Sequence, residues 1–87
     1  MITHHMMNVL LPRIHQLVVN NDATSNIHFL FADKSKYVCN RGAIARDVVL
    51  AAWELQNLTE DYPEYEELKE LLEDCWEELG FNRDSLF

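Results

Sequence analysis

The chain has 87 residues, 48% of them hydrophobic, with four Phe, three Tyr and two Trp, which suits one small folded domain and excludes intrinsic disorder. Two glycines and two prolines are too few for an all-β fold dense in tight turns. A net charge of −8 excludes a chain-wide attraction to nucleic acid or to an anionic lipid surface.

Met7, Leu10, Leu11, Ile14, Leu17 and Val18 recur at helical spacing and predict a first helix over about 3–20, with Thr3 as its N-cap. Pro12 cannot donate to the carbonyl of Asn8, so the helix either kinks there or becomes regular only from Pro12 onward. Ile27, Phe29 and Phe31 alternate onto one side, Asp33 to Lys36 carry turn chemistry, and Tyr37-Val38-Cys39 resumes a strand-like run. This pattern predicts a β-hairpin over about 26–40. Such a hairpin is marginal alone and has to lie against helices.

Asn40 caps a third element over about 42–58, in which Ile44, Val48, Ala51, Leu55 and Leu58 form a seam. Val49, Ala52 and Trp53 add a second apolar strip, so this is the expected core helix, covered on several sides. Asp61, Pro63 and Glu64 mark the start of a last helix over about 62–79. Its apolar face is Tyr65, Leu68, Leu71, Leu72, Cys75, Trp76 and Leu79, and Trp53 and Trp76 are both expected to complete the core. Gly80 stops the helix, Phe81 folds back on it, and residues 80–87 form a short tail. The predicted fold is a single α+β domain in the order α-β-β-α-α, with the hairpin packed on the helices.

Charge is divided unevenly along this order. Residues 1–53 hold five basic and three acidic groups, a net of +2, whereas residues 54–87 hold twelve acids against Lys69 and Arg83, a net of −10. On the last helix the outward positions are Glu66, Glu67, Glu70, Glu73, Asp74 and Glu77, all acidic. Several are four residues apart, and each such like-charge pair costs about 0.2–0.5 kcal/mol. A helix shaped for stability alone would interleave lysines, so these six carboxylates are the candidate binding surface for a basic partner protein.

Other chemistry is poorly represented. His4, His5, His15 and His28 have no acid or cysteine at ligand spacing and read as surface histidines, so no metal or other cofactor is expected. Cys39 and His28 are a remote nucleophile–base pair without an orienting third residue. No phosphate-binding loop or Gly-x-Ser-x-Gly occurs, so the protein is not expected to be an enzyme. Val49, Trp53, Lys34 and Lys36 are the possible contacts of a homodimer.

The first residues have no basic n-region and no unbroken apolar run, and the two cysteines form no Cys-x-x-Cys pair, which points to reduced thiols, no membrane contact and a cytoplasmic location. The expected role is a small acidic inhibitor or regulator that docks its last helix on a basic surface and does not itself bind nucleic acid. In size, acidity and lack of a catalytic motif the chain is similar in character to small phage inhibitors such as anti-CRISPR and antirestriction proteins. That likeness is one of composition, and no residue role follows from it.

Overall fold

The computed structural model describes residues 3–19, 22–32, 40–58 and 62–87. Four α-helices make up most of these residues: α1 (Leu11–Val18), α2 (Ser25–Phe31), α3 (Arg41–Gln56) and α4 (Tyr65–Glu78). Each helix packs on the next in chain order, and α4 also packs on α1. Among the described residues there is no strand, and the fold is all-α.

Pro12 shapes the first element. The turn ahead of it, Met6–Leu10, is widened into a π-helical turn, and the regular helix begins at Leu11 with Pro12 in its first turn. A proline there removes no bond that an α-helical first turn would otherwise make. Thr3 Oγ1 accepts from the Met6 N–H at 3.0 Å and so caps the start of the element. Met6, Leu10, Leu11, Ile14 and Val18 then point inward, all at most 3% exposed.

The hairpin expected over 26–40 is overturned where it can be seen. Ser25–Phe31 is α-helix, and the predicted turn and second strand at 33–39 lie outside the described residues. A short apolar run carries both periods at once: Ile27 and Phe31 are two strand steps apart and also one helical turn apart. The two alternatives differ at Phe29, which alternation places beside Ile27 and Phe31. In the helix it points the other way and is 81% exposed, whereas Ile27 and Phe31 are 1% exposed.

Asn40 Oδ1 accepts from the Ala43 N–H at 3.1 Å, and α3 begins at Arg41. Ile44, Val48, Ala51 and Leu55 form its buried seam, with Ala52 also enclosed. The expectation that Trp53 completes the core is corrected: among the described residues no element covers its side of α3, and Trp53 is 69% exposed. Trp76 is corrected too, being half-buried at the edge of the core.

Asp61, the expected capping residue of the last helix, lies outside the described residues, while Pro63 and Glu64 form a turn ahead of Tyr65. The Tyr62 hydroxyl donates to the carbonyl of Leu17 at 2.8 Å, tying the entry of α4 to the end of α1. Burial, then the Glu64 charge, push this phenol up, so it stays a donor. Leu68, Leu72, Cys75 and Leu79 fill the space between α1 and α3.

Gly80, at φ 97°, ends α4. Its N–H bonds the Glu77 carbonyl and the Phe81 N–H bonds that of Trp76, the paired hydrogen bonds of a Schellman stop. Phe81 stacks on Trp76 with ring centroids 4.1 Å apart, supplying the apolar contact that accompanies such a stop. The last residues are more than a tail. They make a 3₁₀ turn at Arg83–Ser85 that lies back on α4, and Ser85 Oγ accepts from Trp76 Nε1 at 2.9 Å.

The exposed and buried phenylalanines of α2 give a direct check of helix against strand. Phe31→Ala should cost about 3–5 kcal/mol in urea unfolding. Phe29→Ala, measured at low micromolar protein, should stay within about 0.5 kcal/mol. Comparable losses at both positions would restore the alternating strand.

Candidate functional site

All six acids proposed from the sequence lie on α4, but they do not form one open row. Glu66, Glu67, Glu70 and Glu77 are exposed, while Glu73 and Asp74 keep 17% and 41% of their side-chain surface. Two arginines of the same chain reach into them. Arg13, from α1, grips Glu67 with both ends of its fork: Nε donates at 2.7 Å and Nη2 at 3.0 Å. Arg83, from the returning tail, donates to Asp74 at 2.9 Å and has Glu73 and Glu77 each at 3.8 Å. The self-repulsion expected of this helix is therefore substantially relieved from within.

The Glu67 carboxyl is held below the usual range by its hydrogen bonds from Arg13, against a smaller desolvation effect. Hydrogen bonding to Asp74, with the charges of the neighbouring acids, raises the Arg83 guanidinium further above its already high value. Lys69, the basic residue within the helix, has its ammonium 5.5 Å from the centroid of the Phe87 ring. Glu66 and Glu70, one turn apart, are left with no cation of the described residues within ion-pair distance. Glu66 also forms part of an open cleft of about 520 Å³ with Gln56, Leu58, Tyr62, Pro63 and Tyr65.

The opposite end of α4 is pinned by Glu78, which the sequence did not single out. It accepts a short hydrogen bond from the Thr3 hydroxyl and lies 2.6 Å from His5 Nδ1. Partial desolvation pushes the carboxyl up, but the hydrogen bonds from Thr3 and His5 outweigh it, and the net lies below the ordinary value of 4.5. Of the residues missed by sequence reasoning, Arg83 had a readable signal: an arginine three positions after a helix-stopping glycine returns toward the acids it follows. Arg13, Thr3 and His5 had none, being more than fifty positions from their partners.

The remaining candidates separate in the same way. Val49 is half-buried and Trp53 exposed on one side of α3, while Lys34 and Lys36 lie outside the described residues. His15 is not a free surface histidine: its ring meets His28 edge-on at 5.0 Å, and its Nδ1 is buried with no hydrogen-bond partner among the described residues. Among the described residues no three His, Cys, Asp or Glu side chains come together as metal ligands. Cys75 is a free, buried thiol that burial, then the charges of Glu78 and Asp74, push up to about 12. It stays protonated at neutral pH, where a thiol is a poor nucleophile. Cys39 lies outside the described residues.

Among the described residues no helix is long and apolar enough to cross a membrane. The chain matches no protein-family model, no curated protein and no solved structure.

The depressed carboxyls of Glu67 and Glu78 make stability depend on pH in a definite direction. Each binds its proton less readily folded than unfolded, so its contribution is full above the ordinary carboxylate value and is lost as pH falls through the lower, folded value. Urea midpoints should fall between about pH 5 and pH 3. Thr3→Val combined with Glu78→Gln should lower the midpoint at neutral pH and make the acid-side slope shallower. An unchanged slope would show that the α1–α4 contact does not act through Glu78.

Proposed function

We propose that the protein is a non-enzymatic binding protein of the cytoplasm, an inhibitor or regulator that docks part of its acidic helix on a basic surface of another protein. The observation that supports this reading is the difference between the two halves of α4. Arg83 reaches Glu73, Asp74 and Glu77 in the C-terminal half, whereas in the N-terminal half Arg13 holds Glu67, and Glu66 and Glu70 stand exposed with no cation of the described residues within ion-pair distance. The docking surface is thus narrower than the full row of acids: its centre is Glu66 and Glu70, with the adjoining cleft beside Tyr65.

Chemically this arrangement suits a lysine or arginine side chain of a partner. Two carboxylates one turn apart attract it over a distance of about the Debye length, about 10 Å at 0.1 M salt. The cleft offers apolar and aromatic walls for the hydrocarbon stem. Affinity would come from desolvation and fit at the cleft, and speed of encounter from the charge.

The test is capture of a basic protein from cell extract by the immobilised chain at about 0.1 M and about 0.5 M salt, the higher of which shortens the screening distance to about 4 Å. Capture should be lost at the higher salt and abolished by Glu66→Lys with Glu70→Lys. A control pair, Asp22→Lys with Asp84→Lys, changes net charge equally at exposed positions off α4 and should leave capture intact. Capture undiminished in the first pair, or equally lost in both, overturns the assignment.

A further inference from the structure

The four histidines fall into two groups. Asn8 Nδ2 lies 3.1 Å from His4 Nδ1, and His5 Nδ1 lies 2.6 Å from a Glu78 carboxylate oxygen. His15 and His28 are engaged differently. Both are half-buried, their rings meet each other, and among the described residues neither ring makes a hydrogen bond or an ion pair. His15 Nδ1 is wholly enclosed without a partner. Such a nitrogen is rare inside a folded protein, and binding an ion is one of the few states that satisfies it.

The fold brings these two rings together at a stiff place. Thr24, fully buried, donates from Oγ1 to the Val18 carbonyl at 2.9 Å and so ties the start of α2 to the end of α1. His15 is three residues before Val18 and His28 four after Thr24, so each stands about one turn from that clamp. Ile14 and Val18 on α1, with Ile27 and Phe31 on α2, are at most 1% exposed and fix both backbones. The ring centroids are 5.0 Å apart and the planes cross at 71°, so the rings are not stacked face to face. Two imidazole nitrogens at about 2.0–2.1 Å from one ion, at a tetrahedral angle, set their ring centroids about 5 Å apart. The observed spacing is that of a chelating pair.

We propose that His15 and His28 form a binding site for a divalent transition-metal ion of the zinc class, which bridges α1 and α2 through one nitrogen of each ring. His15 contributes its buried Nδ1, and water completes the coordination. Zinc, copper, nickel and cobalt accept imidazole readily, whereas magnesium and calcium require oxygen ligands. Among the described residues no third His, Cys, Asp or Glu joins the pair, so the site holds its ion weakly, in the micromolar range. The ion joins two helices that are held together only in the folded chain, so its binding stabilises the fold.

The experiment is calorimetric titration of the full, reduced chain with zinc chloride in a buffer that does not chelate. One zinc should bind per chain, and saturating zinc should raise the urea midpoint. His15→Gln and His28→Gln should each weaken binding about tenfold or more, since even the loss of a group that only orients a ligand costs that much. In both variants the rise in urea midpoint should vanish, while circular dichroism without zinc should be unchanged. His4→Gln with His5→Gln, and separately Cys39→Ser, should leave binding intact. A readout that needs no variant is the imidazole NMR spectrum of the unaltered chain, in which zinc should shift the ring signals of His15 and His28 and leave those of His4 and His5 in place. No binding at about 100 μM zinc, about 8 kcal/mol or less above the free ion being the range a useful micromolar site spans, overturns the proposal. So does zinc held equally well by both single variants, or a shift confined to His4 and His5.

Discussion

The contact between α1 and α4 is held at both ends by side chains that meet across it. At one end Arg13 grips Glu67, and at the other Thr3 and His5 hold Glu78. Because the residues ahead of α1 meet the end of α4, and the end of α1 meets Tyr62 ahead of α4, the first helical element and α4 run antiparallel with their register set by these pairs. Between them lie Leu68, Leu72, Cys75 and Leu79, whose burial supplies the main stabilisation. The polar pairs contribute position more than energy, being exposed to solvent and its screening. Thr3 links the two ends of the argument in one side chain: its oxygen caps the first helical turn and its hydroxyl proton goes to α4.

The same contact explains how so acidic a helix is tolerated. Glu66 and Glu67 sit in its first turn, where the helix dipole favours them. Acids near its end are unfavourable on that ground, and there the chain supplies help: the Schellman stop at Gly80 reverses the backbone and brings Arg83 back among Glu73, Asp74 and Glu77. Trp76 and Phe81 stack and Ser85 takes the indole proton, so the returning segment is anchored and Arg83 is delivered to a fixed place. Electrostatic relief and chain termination are one device here. Glu66 and Glu70 remain exposed, with no ion-pair partner among the described residues.

Two kinds of outward surface result, and they differ in physics. The Glu66–Glu70 end is polar and attracts at a distance, while the α3 strip is apolar and acts only on contact. They lie on different helices. An all-helical body of this size has little interior to spare, and Trp53, Leu50 and Phe29 are left on its outside.

Much of the helical content was legible in the residues themselves. The seam Ile44, Val48, Ala51 and Leu55, the Asn40 cap, the Gly80 stop and the inward stripe of α4 are local patterns, and local patterns report local structure. The run Ile27 to Phe31 was not, because five residues fit a strand and a helical turn equally well and only the packing of Ile27 and Phe31 against the core chooses between them. The row of acids was visible, but its meaning was not: whether a carboxylate stands alone depends on which distant cation reaches it, and Arg13 reaches Glu67 from 54 positions away. Likewise the apolar strip with Trp53 could be read from spacing, yet its exposure depends on where α2 and α4 come to rest. The amino-acid order thus determined which faces could be buried and which could be charged. Tertiary packing alone decided which of them were used up inside the molecule, because pairing and burial are properties of neighbours in space.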